Sequence, residues 1–500
     1  MISRRFRSVS LFLVLPLLVG CASVSPRPAP IFSDSVEGCR VFFSHLDAQV
    51  KEAGVREASE YPVPGFPYLR TNRFLSALKN RIKDEKEREA WLKWMRASDL
   101  RAREKEIDNL PEERLLSLQV IETVLSNRKE VSDRVEFCSE KLFNHDKTSE
   151  SFDSLLASRV DVPDEYSLLG RTIGLYPLMV IPVAIVNHHA AVKAESWFER
   201  NLDQLPVLGR LATYAPRENQ ALPEEEINVV LEDSRRNALA IPLPDEDWGR
   251  RLAWSFAPAI VQDVAAPYDQ IGQAVWKGNR IGIDPEKPTV YYYFSHAFLK
   301  GEPILQINYV TWYSERAGET PPSIEKGHLD GWTYRVSLDL RGRVFMVDVM
   351  SNCGCYHLFA PARERIERIV SSPLKPDPFV PQWLPASAPG DRLAMRVSSG
   401  WHRVERLLPV SDPQDPVLYD LVPYDRLKAL PTGAGTESIF DSRGIVKGSE
   451  RVERFILFSM GIPKIGSMRE KGHHAIALIG RAHFDDPCLF DRNFVFKGAE

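Results

Sequence analysis

Gly327-His328-Leu329-Asp330-Gly331-Trp332-Thr333-Tyr334-Arg335-Val336-Ser337-Leu338-Asp339-Leu340-Arg341-Gly342-Arg343-Val344-Phe345-Met346-Val347-Asp348-Val349-Met350-Ser351-Asn352-Cys353-Gly354-Cys355-Tyr356-His357 is the stretch on which the C-terminal fold turns. Trp332, Tyr334, Val336, Leu338 and Leu340 alternate with Thr333, Arg335, Ser337 and Asp339, the period-two pattern of a strand with one buried face. Arg341-Gly342 interrupts the pattern. A second apolar run, Arg343 to Met350, follows closely enough to pair antiparallel through a tight turn. A two-residue loop at Arg341-Gly342 sets Arg335 opposite Asp348, His328 opposite Cys355 and Asp330 opposite Cys353. A type I turn beginning at Asp339, with Gly342 as a left-handed bulge residue, sets His328 opposite Gly354 instead. Both registers bring His328 to the Cys-Gly-Cys segment, provided that pairing continues past Gly331, where a glycine can end a ladder.

That convergence makes three chemistries available. Cys353, Cys355 and His357, with His328 as a fourth ligand, form a Cys2His2 set of the softness that suits zinc or copper, although the spacing is not that of a zinc finger. Alternatively Cys355 or Cys353 is a thiol nucleophile in a hydrolase-type site. His328 is then the base and Asp330 or Asp348 its orienting carboxylate, with His473 and His474 as substitute bases. The third reading is structural. Cys353 and Cys355 then form a tight disulfide or link to Cys488, His328 bonds a loop carbonyl, and Arg335 with Asp348 is a cross-strand ion pair that fixes register.

Five hundred residues, 44% hydrophobic and 26% charged, is the composition of a globular chain with more than one domain. The net charge of −4, without a long basic block, argues against nucleic acid as a partner. There is no Gly-x-Ser-x-Gly, His-Glu-x-x-His or Walker loop, and Gly433-Ala434-Gly435 lacks the third glycine of a dinucleotide site.

Arg4, Arg5 and Arg7 precede a short apolar run, Ser10 to Val19, that ends in Leu18-Val19-Gly20-Cys21. That tetrapeptide resembles the lipobox of bacterial lipoproteins. The resemblance implies a signal peptide over 1–20, cleavage before Cys21, and a diacylglyceryl-modified, N-acylated cysteine (a palmitate-type anchor) that holds the chain on a membrane. Ala22 in place of the aspartate that marks inner-membrane retention implies the outer membrane, with the body facing the periplasm. Residues 21–31 form a lipid-anchored, proline-rich tether. An exported chain lives where disulfides form. With Cys21 acylated, Cys39, Cys138, Cys353, Cys355 and Cys488 remain, an odd number, and Cys39 with Cys138 is the expected structural bridge.

From 32 to 212 the chain reads as an α-helical domain. Leu75, Leu78, Ile82, Trp91, Leu92, Trp94 and Met95, then Leu115, Leu116, Leu118, Ile121, Val124 and Leu125, recur at helical spacing, and Pro111-Glu112-Glu113 is a helix start. Ile173 to Val186 is the strongest apolar run after the leader. Pro177 and Pro182 argue against a regular helix there, and the segment reads either as buried core or as a patch lying on the membrane. Residues 213–250 read as a connector. Residues 251–500 read as an α+β domain with a mixed, mainly antiparallel sheet: a hairpin of Thr289–Leu299 with Ile304–Tyr313, strands at Leu393–Val397 and Val417–Leu421, a helix over Ser449–Met460, a last strand over His473–Gly480, and an irregular loop from Leu374 to Gly390. The expected whole is a cell-envelope lipoprotein that binds or assembles with other envelope components, with a metal or thiol site as the rival reading.

Overall fold

The computed structural model describes residues 31–120, 123–124, 127–218, 221–371, 376–388, 390–411 and 413–498. The leader, Cys21 and the tether up to Pro30 lie outside the described residues, as do Ile121 and Leu125 of the helical reading and Pro373 to Lys375 and Pro389 of the proline-rich loop.

The N-terminal half is built on helices α1 (Val36–Ala53), α2 (Glu85–Asn109) and α3 (Arg128–Asp146), followed further on by α4 (Tyr176–Glu199). Ser35 caps α1 by accepting a hydrogen bond from Gly38 N, and Gly54, at φ +68°, ends it in the left-handed conformation that glycine adopts without strain. Phe42, Phe43, Leu46, Leu92, Met95, Val135 and Leu142 share one core. Cys39 of α1 and Cys138 of α3 are disulfide-bonded within it. This half is not wholly helical: Tyr61–Val63 pairs with Phe66–Thr71 across a turn at Gly65, and the helix begun at Pro111 stops at Leu115, before short strands Gln119–Val120 and Thr123–Val124.

A ten-stranded sheet organises the rest. In chain order its strands are β1 (Arg210–Pro216), β2 (Ala259–Val264), β3 (Thr289–Leu299) and β4 (Glu302–Val310); then, after a separate pair β5 (Tyr313–Arg316) and β6 (Gly327–Asp330), β7 (Trp332–Leu338), β8 (Val344–Ser351), β9 (His357–Pro361), β10 (Arg392–Val397), β11 (Val404–Val410) and β12 (Val417–Pro423). The spatial order is β9-β8-β7-β4-β3-β12-β1-β2-β10-β11. Pairing is parallel between β3 and β12, β12 and β1, and β2 and β10, and antiparallel elsewhere, so the sheet is mixed. β1 crosses the expected boundary at 212. The expected connector contains one helix, Glu224–Ser234, and the start of a second, Glu246–Ser255, which runs past 250; their Ile227, Val230, Leu252 and Ala253 join Val336, Val347 and Ile307 in a core on one face of the sheet. Ser449–Met460 forms only two 3-10 turns, and His473–Gly480 is irregular apart from one bridge at Ala475, in place of the expected helix and strand.

Buried ion pairs knit the N-terminal half together, and one of them joins it to the sheet half. Arg70 donates to both oxygens of Glu106 at 2.8 Å and to Asp99 at 3.1 Å. Lys428, from the sheet half, reaches Glu57 at 2.5 Å, while Asn109 of α2 donates to its carbonyl at 2.7 Å. Charges so far from water persist because each has a partner.

Candidate functional site

The β7–β8 hairpin combines features of both sequence registers. Asp339 opens the turn, accepting from Gly342 N, and Gly342 sits at φ +81° against Ile227. A bulge between Ser337 and Leu338 absorbs the extra residue, so Arg335 still faces Asp348. Both faces of β7 are buried. Thr333, Arg335 and Ser337 lie on the second face, where Arg335 sits under the Phe484 ring (3.7 Å).

The ladder ends at Trp332–Ser351. A side chain at Gly331 would stand 2.2 Å from Thr311 O, so only glycine allows this approach, and Asn352 N donates to Gly331 O across it. The chain before Gly331 then leaves the hairpin, and β6 pairs with β5, with Glu315 opposite His328. His328 is therefore not opposite Cys355 or Gly354. Its imidazole pKa is lowered by burial and by Arg280.

Asp330, expected opposite Cys353, is gripped by Arg316 through two 2.9 Å hydrogen bonds and by His402 Nδ1 at 2.9 Å. Although burial opposes it, Arg316 and His402 hold its carboxyl far below the usual carboxylate range. It orients no base beside a thiol. Asp348 is likewise occupied, by Arg335 (2.6 and 2.9 Å) and by His357 Nε2 at 2.8 Å. His357 packs its ring on Phe359 and Phe484, and burial lowers its pKa. Among the described residues no group of three or more His, Cys, Asp or Glu side chains is placed to hold a metal ion. The Cys353/Cys355/His357/His328 zinc or copper set and the Cys–His328–Asp330/Asp348 relay are thus not assembled.

Cys353 and Cys355 do come together. The turn from Ser351 to Tyr356 is closed by Ser351 N donating to Tyr356 O (2.9 Å) and by Gly354 N donating to Ser351 O (2.7 Å). Gly354, at φ +83°, lies so close to Ala475 O that a Cβ would be 2.4 Å away. Cys353 is buried and Cys355 exposed, and both are free thiols. Cys355 N donates to Cys353 Sγ at 3.4 Å. The Cys355 thiol's hydrogen bond, with the Arg316 and Arg451 guanidiniums, lowers the Cys353 thiol to about 6 against the opposing effect of burial. Cys355, the donor, is pushed well above its usual value, first by the same bond and further by the charge of Cys353. A hollow with room for about one water molecule, lined by Ile462, Ile465 and Ala475 to Leu478, adjoins the two sulfurs.

His474 Nε2 lies 3.2 Å from Asn352 O, next to the turn, and burial lowers it to about 3. His473 has both ring nitrogens engaged, Nδ1 with Glu165 (2.9 Å) and Nε2 with Ala58 O (2.8 Å). Sequence reasoning missed the cations behind Cys353 and the cluster around His402. His402 bridges Asp330 and Asp269 (3.1 Å) and stacks on Tyr313 at 3.9 Å. These residues are scattered from 269 to 451 with no spacing to announce them.

A second feature is a surface. α4 runs unbroken through Pro182, with Pro177 in its first turn; Leu178 and Pro182 both face outward. Val180, Ala184, Asn187, Ala191, Ala194 and Phe198 form its inner stripe, while Leu178, Ile181, Ile185 and Val192 point away from the body, Ile181 60% exposed. Exposed Leu168, Leu169 and Ile173 of the preceding short helix, and Phe455, Ile456 and Phe458, 66%, 52% and 51% exposed, extend this apolar face. From Thr172 to Val192 there is no Asp, Glu, Lys or Arg. α4 is long and apolar enough to cross a membrane. Both its ends are nonetheless tied to the same body: Tyr176 OH accepts from Gly480 N (2.9 Å), and Arg406 donates to Trp197 O (3.2 Å). The buried-core reading of Ile173–Val186 is overturned by this exposure.

Comparison with family models, with curated proteins and with solved structures finds no match.

Proposed function

We propose that this chain is a cell-envelope lipoprotein that acts by binding or assembly at a membrane surface, with α4 lying on the bilayer. The observation that carries the reading is the apolar face of α4, the helix before it and residues 455–458, exposed and free of charge along the helix through Val192. Contiguous exposed apolar surface of this kind marks an interaction site. A bilayer is favoured over a protein partner by what precedes the body. Lipidation at Cys21, at the outer membrane and facing the periplasm, leaves only Ala22 to Pro30 between anchor and fold, which spans roughly 30 Å when extended. A body held that close meets the membrane continually, and side chains at interface depth leave water. With both ends docked on one body, α4 lies in the interface plane and does not thread the membrane.

The test is flotation of the chain lacking residues 1–20 with vesicles of phosphatidylethanolamine and phosphatidylglycerol. The unmodified body is expected to float with the lipid, and the Ile181→Asp/Ile185→Asp variant to remain at the bottom with an unchanged circular dichroism spectrum. A body that stays behind, or that self-associates through this face in light scattering without binding vesicles, contradicts the reading.

A further inference from the structure

We infer that Cys353 and Cys355 are a redox-active vicinal pair whose disulfide form oxidises the thiols of a cysteine-containing peptide segment that reaches Cys355 at the surface. The inference is independent of the membrane reading. It rests on the division of labour between the two sulfurs: one belongs to an exposed residue, and the other is buried and receives a backbone N–H at 3.4 Å.

A thiolate attacks the sulfur it can reach and expels the other, and exchange is faster when the departing sulfur is the more stable thiolate. Cys355 is the reachable sulfur. Cys353 is buried, receives the Cys355 N–H at 3.4 Å and is faced by Arg316 and Arg451, so it is the sulfur suited to leave. The Cys353 thiolate also has a fixed place to rest, because Asn352 and Gly354 on either side are pinned to Gly331 O, Thr311 O and Ser351 O. Residues two apart form a disulfide only at the edge of its preferred geometry, which makes the oxidised pair easy to reduce.

The exchange balances as follows. A substrate thiolate attacks Cys355 Sγ; the Cys353–Cys355 bond breaks, and Cys353 leaves as the thiolate. A second substrate thiolate attacks the substrate sulfur of this mixed disulfide, and Cys355 leaves and takes up a proton. The substrate has lost two electrons and two protons and gained a disulfide. The protein pair has gained the two electrons and one proton, and the other proton is in solvent. An external disulfide reoxidises the pair by the reverse sequence.

The full chain is equilibrated across a series of reduced-to-oxidised glutathione ratios, then acid-quenched, alkylated and digested. The tryptic peptide from Val344 to Arg363 contains both sulfurs. Its two alkyl labels are expected to be lost together as the buffer becomes oxidising, while Cys39–Cys138 stays oxidised throughout. The Cys353→Ser variant is expected to accumulate a glutathione mixed disulfide on Cys355, and the oxidised wild-type chain to convert a reduced two-cysteine peptide to its disulfide. Because Cys353 is buried, Cys355→Ser serves as a second variant that spares the interior; it is expected to abolish peptide oxidation with an unchanged circular dichroism spectrum. Single-label intermediates dominating in the wild type, or a pair reduced only where Cys39–Cys138 is also reduced, overturns the inference.

Discussion

Arg335 and Asp348 face each other across β7 and β8 with a doubly hydrogen-bonded contact at 2.6 and 2.9 Å, both side chains out of water. The pair fixes the register of the hairpin, and its outer neighbours, His357 and Phe484 O, complete its hydrogen bonding. Removing one partner leaves a buried charge unmatched. Asp348→Ala is expected to cost about 3–5 kcal/mol in urea unfolding, whereas replacing both residues with apolar ones of similar size costs less. Equal losses in the single and double variants contradict this.

His402 lies between Asp330 and Asp269, with Arg316 and Arg451 facing Asp330 from the other side. Burial opposes its charge, but the two carboxylates win and raise its pKa above the ordinary 6.5. The folded chain holds this proton to higher pH than the unfolded chain. The stabilisation is complete below about pH 6.5 and fades as pH rises through the folded value. The stability gap between wild type and His402→Gln is therefore expected to narrow from pH 6 to pH 9. A gap independent of pH contradicts the assignment.

Glu405 on β11 behaves in the opposite sense. Its Oε2 is buried with no hydrogen-bond partner among the described residues, and burial, with Asp263 adding to it, pushes the acid up to about 7 against the opposing charges of Arg396 and Arg200. Between about pH 4.5 and 7 the folded chain keeps a proton that the unfolded chain releases, so stability falls as pH rises. Glu405→Gln is expected to flatten that fall and to be more stable at pH 8, on the order of 3 kcal/mol. Unfolding free energies across this window check it, and an unchanged slope refutes it.

The Cys39–Cys138 bridge ties α1 to α3 across a sequence separation of 99 residues. Closing so long a loop restricts the unfolded chain strongly. The double Cys→Ala variant is expected to lose about 2–5 kcal/mol, read by urea titration.

Much of the fold was legible in the sequence, for reasons that can be located. The alternation from Trp332 to Met350 carries the hairpin, and Lys300-Gly301, with both residues at positive φ, carries the β3–β4 hairpin. Gly331 was legible as a point where the ladder can end, but that it does end there depends on Thr311 approaching from the segment between β4 and β5. The parallel pairings of β12 with β3 and β1 join segments more than a hundred residues apart, and no local pattern encodes them. Ile173–Val186 has the composition of a core. Its exposure is a tertiary property, visible only once both ends of α4 are seen to dock on one body. Of the candidate site, the juxtaposed sulfurs followed from their spacing, while Arg316, Arg451 and His402 arrive through the fold.

Amide hydrogen exchange of the chain lacking residues 1–20, with and without vesicles, tests the proposed membrane reading most directly. Slower exchange is expected across Tyr176 to Lys193 and Val452 to Phe458 in the presence of vesicles, with no change in the Ile181→Asp/Ile185→Asp variant. Exchange in those segments that is the same with and without vesicles, in the wild-type chain, would contradict it.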